Sequence, residues 1–330
     1  MTISNHKNLW IGIAVAVLVG AGGIAVWQYS QPRMAESTSS RSATVTAATA
    51  TDDSDSIDWS SLPTTEVALT DEGLAVTAAG TYVLSGSSAG QVTVNTDGNV
   101  RLVLSGVNIK SSQGAAIHVE HAETAVIQLA DGTSNTIEDA TTRSDDAIDG
   151  AIYSSGNLAV HGSGSLDITA HFADGIASEK QLVVAGGDIT IDSSDDAIRA
   201  DQKISITGGK ITINTSVEGI EAPVIVIDGG DITLYASDDG INASASDSVT
   251  TGLSITINGG TLNVTVGSGD TDALDSNGDL YVNGGTITIT APTSSFDFDG
   301  SGAINGGTVT VNGQRITEMP AQMTGGPGGQ

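Results

Sequence analysis

The sequence predicts an all-β fold, a parallel β-helix in which short strands follow one another around a coil. Three observations carry this. Gly-Gly pairs begin at Gly186, Gly208, Gly229, Gly259, Gly284 and Gly306, at intervals of 22, 21, 30, 25 and 22 residues. An alternating run follows each pair ("DITI", "KITI", "DITL", "TLNVTV", "TITIT", "TVTV"), and another precedes most of them ("QLVVA", "KISIT", "VIVID", "LSITIN", "DLYVN"). Glycine is abundant, at 42 of 330 residues, while aromatics make up only 3%. Alternation with a period of two marks a strand with one buried face. Ile189 and Ile191, Ile211 and Ile213, and Ile287 and Ile289 are therefore expected to point inward. One unit alone buries too little; stacked units share a continuous interior. The connections are too short for crossover helices, which leaves a coil. A β-sandwich needs no period this regular, and no nine-residue period of a calcium roll is visible.

The elements follow in chain order. His6 and Lys7 precede an uncharged run of 19 residues, Leu9 to Trp27, just long enough to span a bilayer as one helix. No clean small-residue cleavage site follows it, which favours an uncleaved membrane anchor (residues 1–28) over a cleaved signal peptide. Either device puts the rest of the chain outside the cytoplasm, at the cell surface or secreted. Residues 29–58 are rich in Ser, Thr and Ala and read as a disordered linker. The β-helix occupies 59–313, with an N-terminal cap expected near Trp59. "GTYVLSG", "QVTVN", "NVRLVLSGVNIK", "AAIHVE" and "TAVIQLA" form its first, less regular rungs, and "GSGSLDITA" is a looser copy of the later unit. The Gly-Gly pairs supply positive φ at a corner. Before them stand Ala185, Thr207, Asp228, Asn258, Asn283 and Asn305, placed for a ladder of stacked amides. Uneven intervals fit loops growing from one corner of a constant coil. Residues 314–330, ending in "MTGGPGGQ", read as a disordered tail.

The chain carries 39 acidic and 11 basic residues, a net charge of −28. That excludes nucleic acid as a partner, because phosphate needs a basic face. There is no cysteine, so neither disulfides nor thiolate metal sites are available. The acids fall in register with the repeat. They are Asp145, Asp146 and Asp149 in "SDDAIDG", Asp174 in "ADGI", Asp195 and Asp196 in "SDDAI", and Glu218 and Glu221 in "VEGIE". Asp238 and Asp239 follow in "SDDGI", Asp270, Asp272 and Asp275 in "GDTDALD", and Asp297 and Asp299 in "FDFDG". Rungs of a parallel sheet lie about 4.8 Å apart. Equivalent carboxylates at that spacing repel one another and oppose folding. A hard divalent cation removes the difficulty, and calcium, with six to eight oxygen ligands and forgiving geometry, suits such a column. His118, His121, His161 and His171 do not follow the repeat, which argues against zinc. The competing explanation is that Asp favours turns because it bonds its own backbone, and that exposed acids keep an exported protein soluble. A lone Asp-Gly means no more than that; seven units in register point to shared ions.

The succession "AAGTYVLSG", "NVRLVLSGVNI", "AAIHVEHAETAVIQLADGTSNTIED", "DDAIDGAIYSSGNLAVHGSGSLDIT", "ADGIASEKQLVVAGGDITI" and "DDGINAS" closely resembles a family of exported carbohydrate-binding domain proteins. The resemblance runs from about Val67 to Asn312. It implies a right-handed parallel β-helix similar to pectate lyases, which binds calcium and acidic or cellulosic plant polysaccharides without known catalysis. "VEGIE" and "FDFDG" depart from the usual Asp-Asp-Gly-Ile form, which weakens the case for ions in those rungs.

Three functions compete. A calcium-dependent binder of acidic glycans such as polygalacturonate would bridge uronate carboxylates through protein-held calcium. Its cellulose-binding variant is weaker, because stacking needs aromatic platforms and the candidates Tyr82, Tyr153, Phe172, Tyr235, Tyr281, Phe296 and Phe298 are scattered single side chains. A calcium-dependent polysaccharide lyase would need a base beside the ion. Arg199, Lys203, Lys180 and Lys210 are candidates, but Arg199 reads better as a counter-ion for the acids. A structural stalk or adhesin would use calcium as a staple and bind no sugar. The unit Asp195–Asp196, with Asp174, Asp238–Asp239 and the longer arm of Glu218, is the expected best ion site.

Overall fold

The computed structural model describes residues 53–269 and 271–320. Thirty strands and two short 3-10 turns make up the described residues, with no α-helix among them. No helix among the described residues is long and apolar enough to cross a membrane; the run from Leu9 to Trp27 lies outside them.

The strands fall into three series. Within each, a strand pairs in parallel with its equivalent one rung on: Leu158–Gly162 with Gln181–Val184, Ser165–Ala170 with Asp188–Ser193, and Ile176–Ser178 with Ile198–Ala200. The chain thus advances by three strands per rung, as a coil. Two series join into one 20-stranded sheet, because the long strands Gly80–Ser88 and Val100–Lys110 run through both near the start. The third forms a separate ten-stranded narrow sheet of two- to five-residue strands.

Register explains the interior. Leu166, Ile189, Ile211, Ile232, Leu262, Ile287 and Val309 stack in one column, each no more than 1% exposed. Ile152, Ile176, Ile198, Ile220, Ile241, Leu274 and Phe296 form the matching column of the narrow sheet. The expected inward alternation of isoleucines holds at all six positions named above. Residues 64–138 form the first rungs, pairing in parallel among themselves and with the later ones.

The Gly-Gly pairs do two jobs. Gly285 has φ of 83°, the left-handed region that favours glycine. Its neighbour Gly284 is glycine for a different reason: a Cβ there would lie 2.2 Å from the Asn258 carbonyl oxygen of the rung below. The residues before the pairs form the expected ladder. Asn258 Nδ2 donates to Asp228 Oδ1 (2.7 Å), Asn283 to Asn258 (2.8 Å) and Asn305 to Asn283 (2.8 Å). Replacing Asn283 by alanine leaves one amide on each side unpaired. It is expected to cost about 1 kcal/mol, read as a lowered melting midpoint.

Several expectations need correction. Trp59 does not plug the coil end. It lies against the outward side chains Val126, Ala159 and Val183, with the Arg101 guanidinium 4.9 Å from its ring, because those apolar positions need cover on the sheet's outer face. The linker is ordered from Asp53, which starts a 3-10 turn. The chain also stays ordered past 313. Asn312 (φ 49°) and Gly313 (φ 80°) make a tight hairpin turn, and Gln314–Ile316 returns antiparallel to Thr308–Val311. The long insertions leave from two corners rather than one. Residues 139–151 precede the narrow-sheet strand Ile152–Ser154, and residues 244–253 follow the strand Ile241–Ala243.

Candidate metal centre

The narrow sheet positions the acids. Each unit places its carboxylate two residues before the inward Ile or Leu, so Asp174, Asp196, Glu218, Asp239 and Asp272 stack along the edge where each strand begins. Backbone bonds fix that stack: Gly175 N to Asp196 O, Ala197 N to Glu218 O, Gly219 N to Asp239 O and Gly240 N to Asp272 O. Two of the side chains also serve the backbone. Asp174 Oδ1 accepts from Asp196 N (3.1 Å), and Asp239 Oδ1 accepts from Asp272 N (2.7 Å). Part of the column is therefore turn chemistry, as the competing explanation holds.

That explanation does not cover Asp196, Glu218 and Glu221. One carboxylate oxygen from each lies within 4.8 Å of the other two. Asp196 is 3% exposed, and its Oδ1 is buried with no hydrogen-bond partner. Glu218 Oε1 is held by Asn242 Nδ2 (3.0 Å) and Glu221 Oε1 by Ser244 Oγ (2.6 Å). Asn242 Oδ1 is a further buried oxygen without a donor. Burial, followed by the neighbouring Glu218 and Glu221 carboxylates, pushes the Asp196 carboxyl well above the usual carboxylate range. Three carboxylates this close persist only around a positive centre, either a shared proton or a cation. Points within 4.8 Å of one another share a centre no more than about 2.8 Å from each, near the 2.3–2.6 Å of calcium–oxygen bonds. The donor set is all oxygen and its orphaned buried atoms are acceptors, which suits a hard cation.

Arg199 stands one rung below Glu221 in the same outward column. Its Nη1 donates to Asp149 Oδ2 at 2.7 Å, and Asp201, Glu221 and Asp174 lie 3.4, 3.6 and 3.8 Å away. Burial alone would lower its pKa, but the carboxylates, Asp174 foremost, outweigh that and raise it. A guanidinium so held is a counter-ion and not a base. Asp174, buried and next to Asp149, is pushed up to about 8. Burial likewise raises Asp149, against the pull of Arg199.

A looser group lies towards the C-terminus. Asp275, burial-shifted and facing Asp239, Asp272, Asp297 and Asp299, is pushed up to about 7, and Asp239 up to about 6 by burial. Asp145, Asp146, Asp195, Asp238, Asp297 and Asp299 are exposed, so the structure does not draw them into the Asp196 cluster. Asp270 lies outside the described residues. The pair Asp195–Asp196 thus splits, one to solvent and one inward, and the "VEGIE" rung supplies two of the three clustered oxygens. Sequence reading missed Asn242 and Ser244, which sit in the "GINAS" stretch with no charge to mark them. It also missed Arg143, whose insertion has no period. Arg143 pairs with buried Asp139, donates to the carbonyls of Ala140, Ile148 and Gly150, and packs on Phe172. Arg143→Met is expected to speed hydrogen exchange across 139–150 while the coil's own amides stay protected.

Residues 70–317 match the family described as carbohydrate-binding domain-containing protein. A protein of that description from Acetivibrio thermocellus is 31% identical over 187 residues. The match covers 54% of this chain and 62% of the relative, so it spans less than two thirds of that protein's length. A solved structure described as a polysaccharide lyase-like protein from C. thermocellum, as a gadolinium derivative, superimposes with a TM-score of 0.56 at 23% identity. It covers 76% of this chain and 97% of that one; at this identity the likeness concerns the fold.

Proposed function

Starting from the fact that this chain belongs to the carbohydrate-binding domain-containing protein family, we propose that it is an exported polysaccharide-binding protein that binds acidic glycans such as polygalacturonate through calcium. The observation that carries the reading is the cluster of Asp196, Glu218 and Glu221, the only such group of metal-ligating side chains among the described residues. Calcium held there would offer its remaining coordination positions to uronate carboxylates. The coil presents this cluster on the narrow sheet, along which an extended polymer can lie. We read the coil as right-handed and pectate-lyase-like, in keeping with the hand of parallel crossovers.

Two observations favour an acidic over a cellulose-type ligand. Tyr235, at 42%, is the only exposed large hydrophobic among the described residues, and Tyr153 and Phe296 are buried, so a stacking platform is lacking. The same site argues for binding rather than elimination chemistry. Arg199 is locked among four carboxylates, and Lys210 pairs with Asp188 on the wide sheet. Polygalacturonate is expected to retain the protein in millimolar calcium and release it into chelator, with no unsaturated product. Equal retention with and without calcium would remove calcium from the account, and a rising absorbance from unsaturated uronates would replace binder by lyase.

Export rests on the apolar run from Leu9 to Trp27. The full-length protein is expected to stay with membranes through a carbonate wash. A soluble form beginning near Gln31 would identify a cleaved signal instead.

A further inference from the structure

The outward column of the narrow sheet runs His118, Tyr153, Ala177, Arg199, Glu221 and Asn242 from rung to rung. Ala177 is the one methyl among large side chains, and its two neighbours stand about 10 Å apart, two rung spacings. A cavity of about 220 Å³ opens there, lined by Asp149, Tyr153, Ala177, Glu179, Arg199 and Asp201 among others. One long insertion lines it, and the other braces the backbone of a lining residue. Residues 139–151 supply Asp149, while Ser246 and Ser248, from residues 244–253, donate to the Asp201 carbonyl at 2.5 and 2.9 Å.

We propose that this notch is a saccharide subsite, separate from the metal centre, that takes one neutral pyranose ring by its hydroxyl groups. The polar lining sets the Arg199 guanidinium among the acceptors Asp149, Glu179 and Asp201. Arg199 makes one hydrogen bond, to Asp149, and its remaining N–H groups meet carboxylates only at 3.4 Å or more. Asp201, beside Arg199, and Glu179 are acceptors, and Glu179 is oriented by the Tyr153 hydroxyl (2.5 Å), whose ring is braced edge-on by His118 at 5.6 Å. Vicinal sugar hydroxyls both donate and accept and so match such a rim. Three carboxylates against one guanidinium disfavour a uronate carboxylate here, and these carboxylates do not converge as the Asp196 group does. The volume lies below the roughly 300–1,000 Å³ of sites for drug-sized ligands, which fits a single ring of a longer chain.

The inference rests on the carbohydrate-binding reading, and the test separates the two. Neutral hexasaccharides of glucose, mannose and galactose are titrated into the full chain in chelator, and oligogalacturonate in calcium. At least one neutral hexamer is expected to bind without calcium. Glu179→Ala and Asp201→Asn are each expected to weaken it about tenfold or more, with calcium affinity and far-UV circular dichroism unchanged. Ala177→Leu, which fills the notch, is expected to abolish it; should that variant misfold, the two rim variants decide. Oligogalacturonate binding with no neutral hexamer bound overturns the subsite and leaves the binder reading standing. Binding that survives both rim variants overturns the location. No glycan bound under either condition overturns both.

Discussion

Asp196→Asn is expected to raise the melting temperature of the calcium-free protein and to erase the further rise that calcium gives the wild type. The two effects share one cause. Asp196 is 3% exposed and faces Glu218 and Glu221, so ionising it without a cation is uphill. Asparagine keeps the size, removes the charge and donates to the neighbouring carboxylates. With calcium the order reverses. A ligand that binds only the folded state adds RT ln(1 + [L]/Kd), about 2.7 kcal/mol at a hundredfold excess. For a domain this size that moves the melting temperature by several degrees, at roughly 2–4 °C per kcal/mol. The wild type should gain it and the variant lose most of it, so their melting curves cross on adding calcium. If the acids serve only solubility, the substitution leaves both curves where they were.

The second large effect is on pH. Stripped of calcium, the protein is expected to lose stability as pH rises from about 4.5 to 8. Unfolded, Asp174 ionises near the ordinary carboxylate value of 3.8; folded, it keeps its proton up to about 8. Between those values the native state holds more protons than the unfolded state, and stability falls with pH. Asp239 and Asp275, raised to about 6 and about 7, add to the lower part of that window. At about four units for buried Asp174, the loss is on the order of 5 kcal/mol. Calcium needs these carboxylates ionised, so its stabilisation grows over the same range. Thermal melts across pH, with and without calcium, should diverge upward, and Asp174→Asn should make the calcium-free series less steep, with buried Asp196 carrying much of the slope that remains. A calcium-free protein more stable at pH 8 than at pH 5 contradicts the assignment.

The fold was legible because it is periodic. A Gly-Gly pair every rung, with isoleucines alternating after it, leaves little but a coil, and the Asn258–Asn283–Asn305 ladder follows from the same register. The acid column was legible as a column, yet its grouping was not. Asp195 and Asp196 are neighbours in sequence, but the turn between the strands Asp188–Ser193 and Ile198–Ala200 sends one to solvent and buries the other. Glu218 and Glu221 broke the motif and looked like the weak rung. Their carboxylates nonetheless lie within 4.8 Å of that of Asp196. Asn242, Ser244 and Arg143 act through contacts that carry no period, so nothing in the spacing announced them. Trp59 was expected at the coil end; the outward apolar residues that hold it on the side belong to three separate rungs.

The most direct test is a crystal structure of the protein grown with calcium, with anomalous data. The account predicts a peak 2.3–2.6 Å from oxygens of Asp196, Glu218 and Glu221. A well-ordered cluster with no ion among those three carboxylates, in crystals that bind calcium elsewhere, would contradict it.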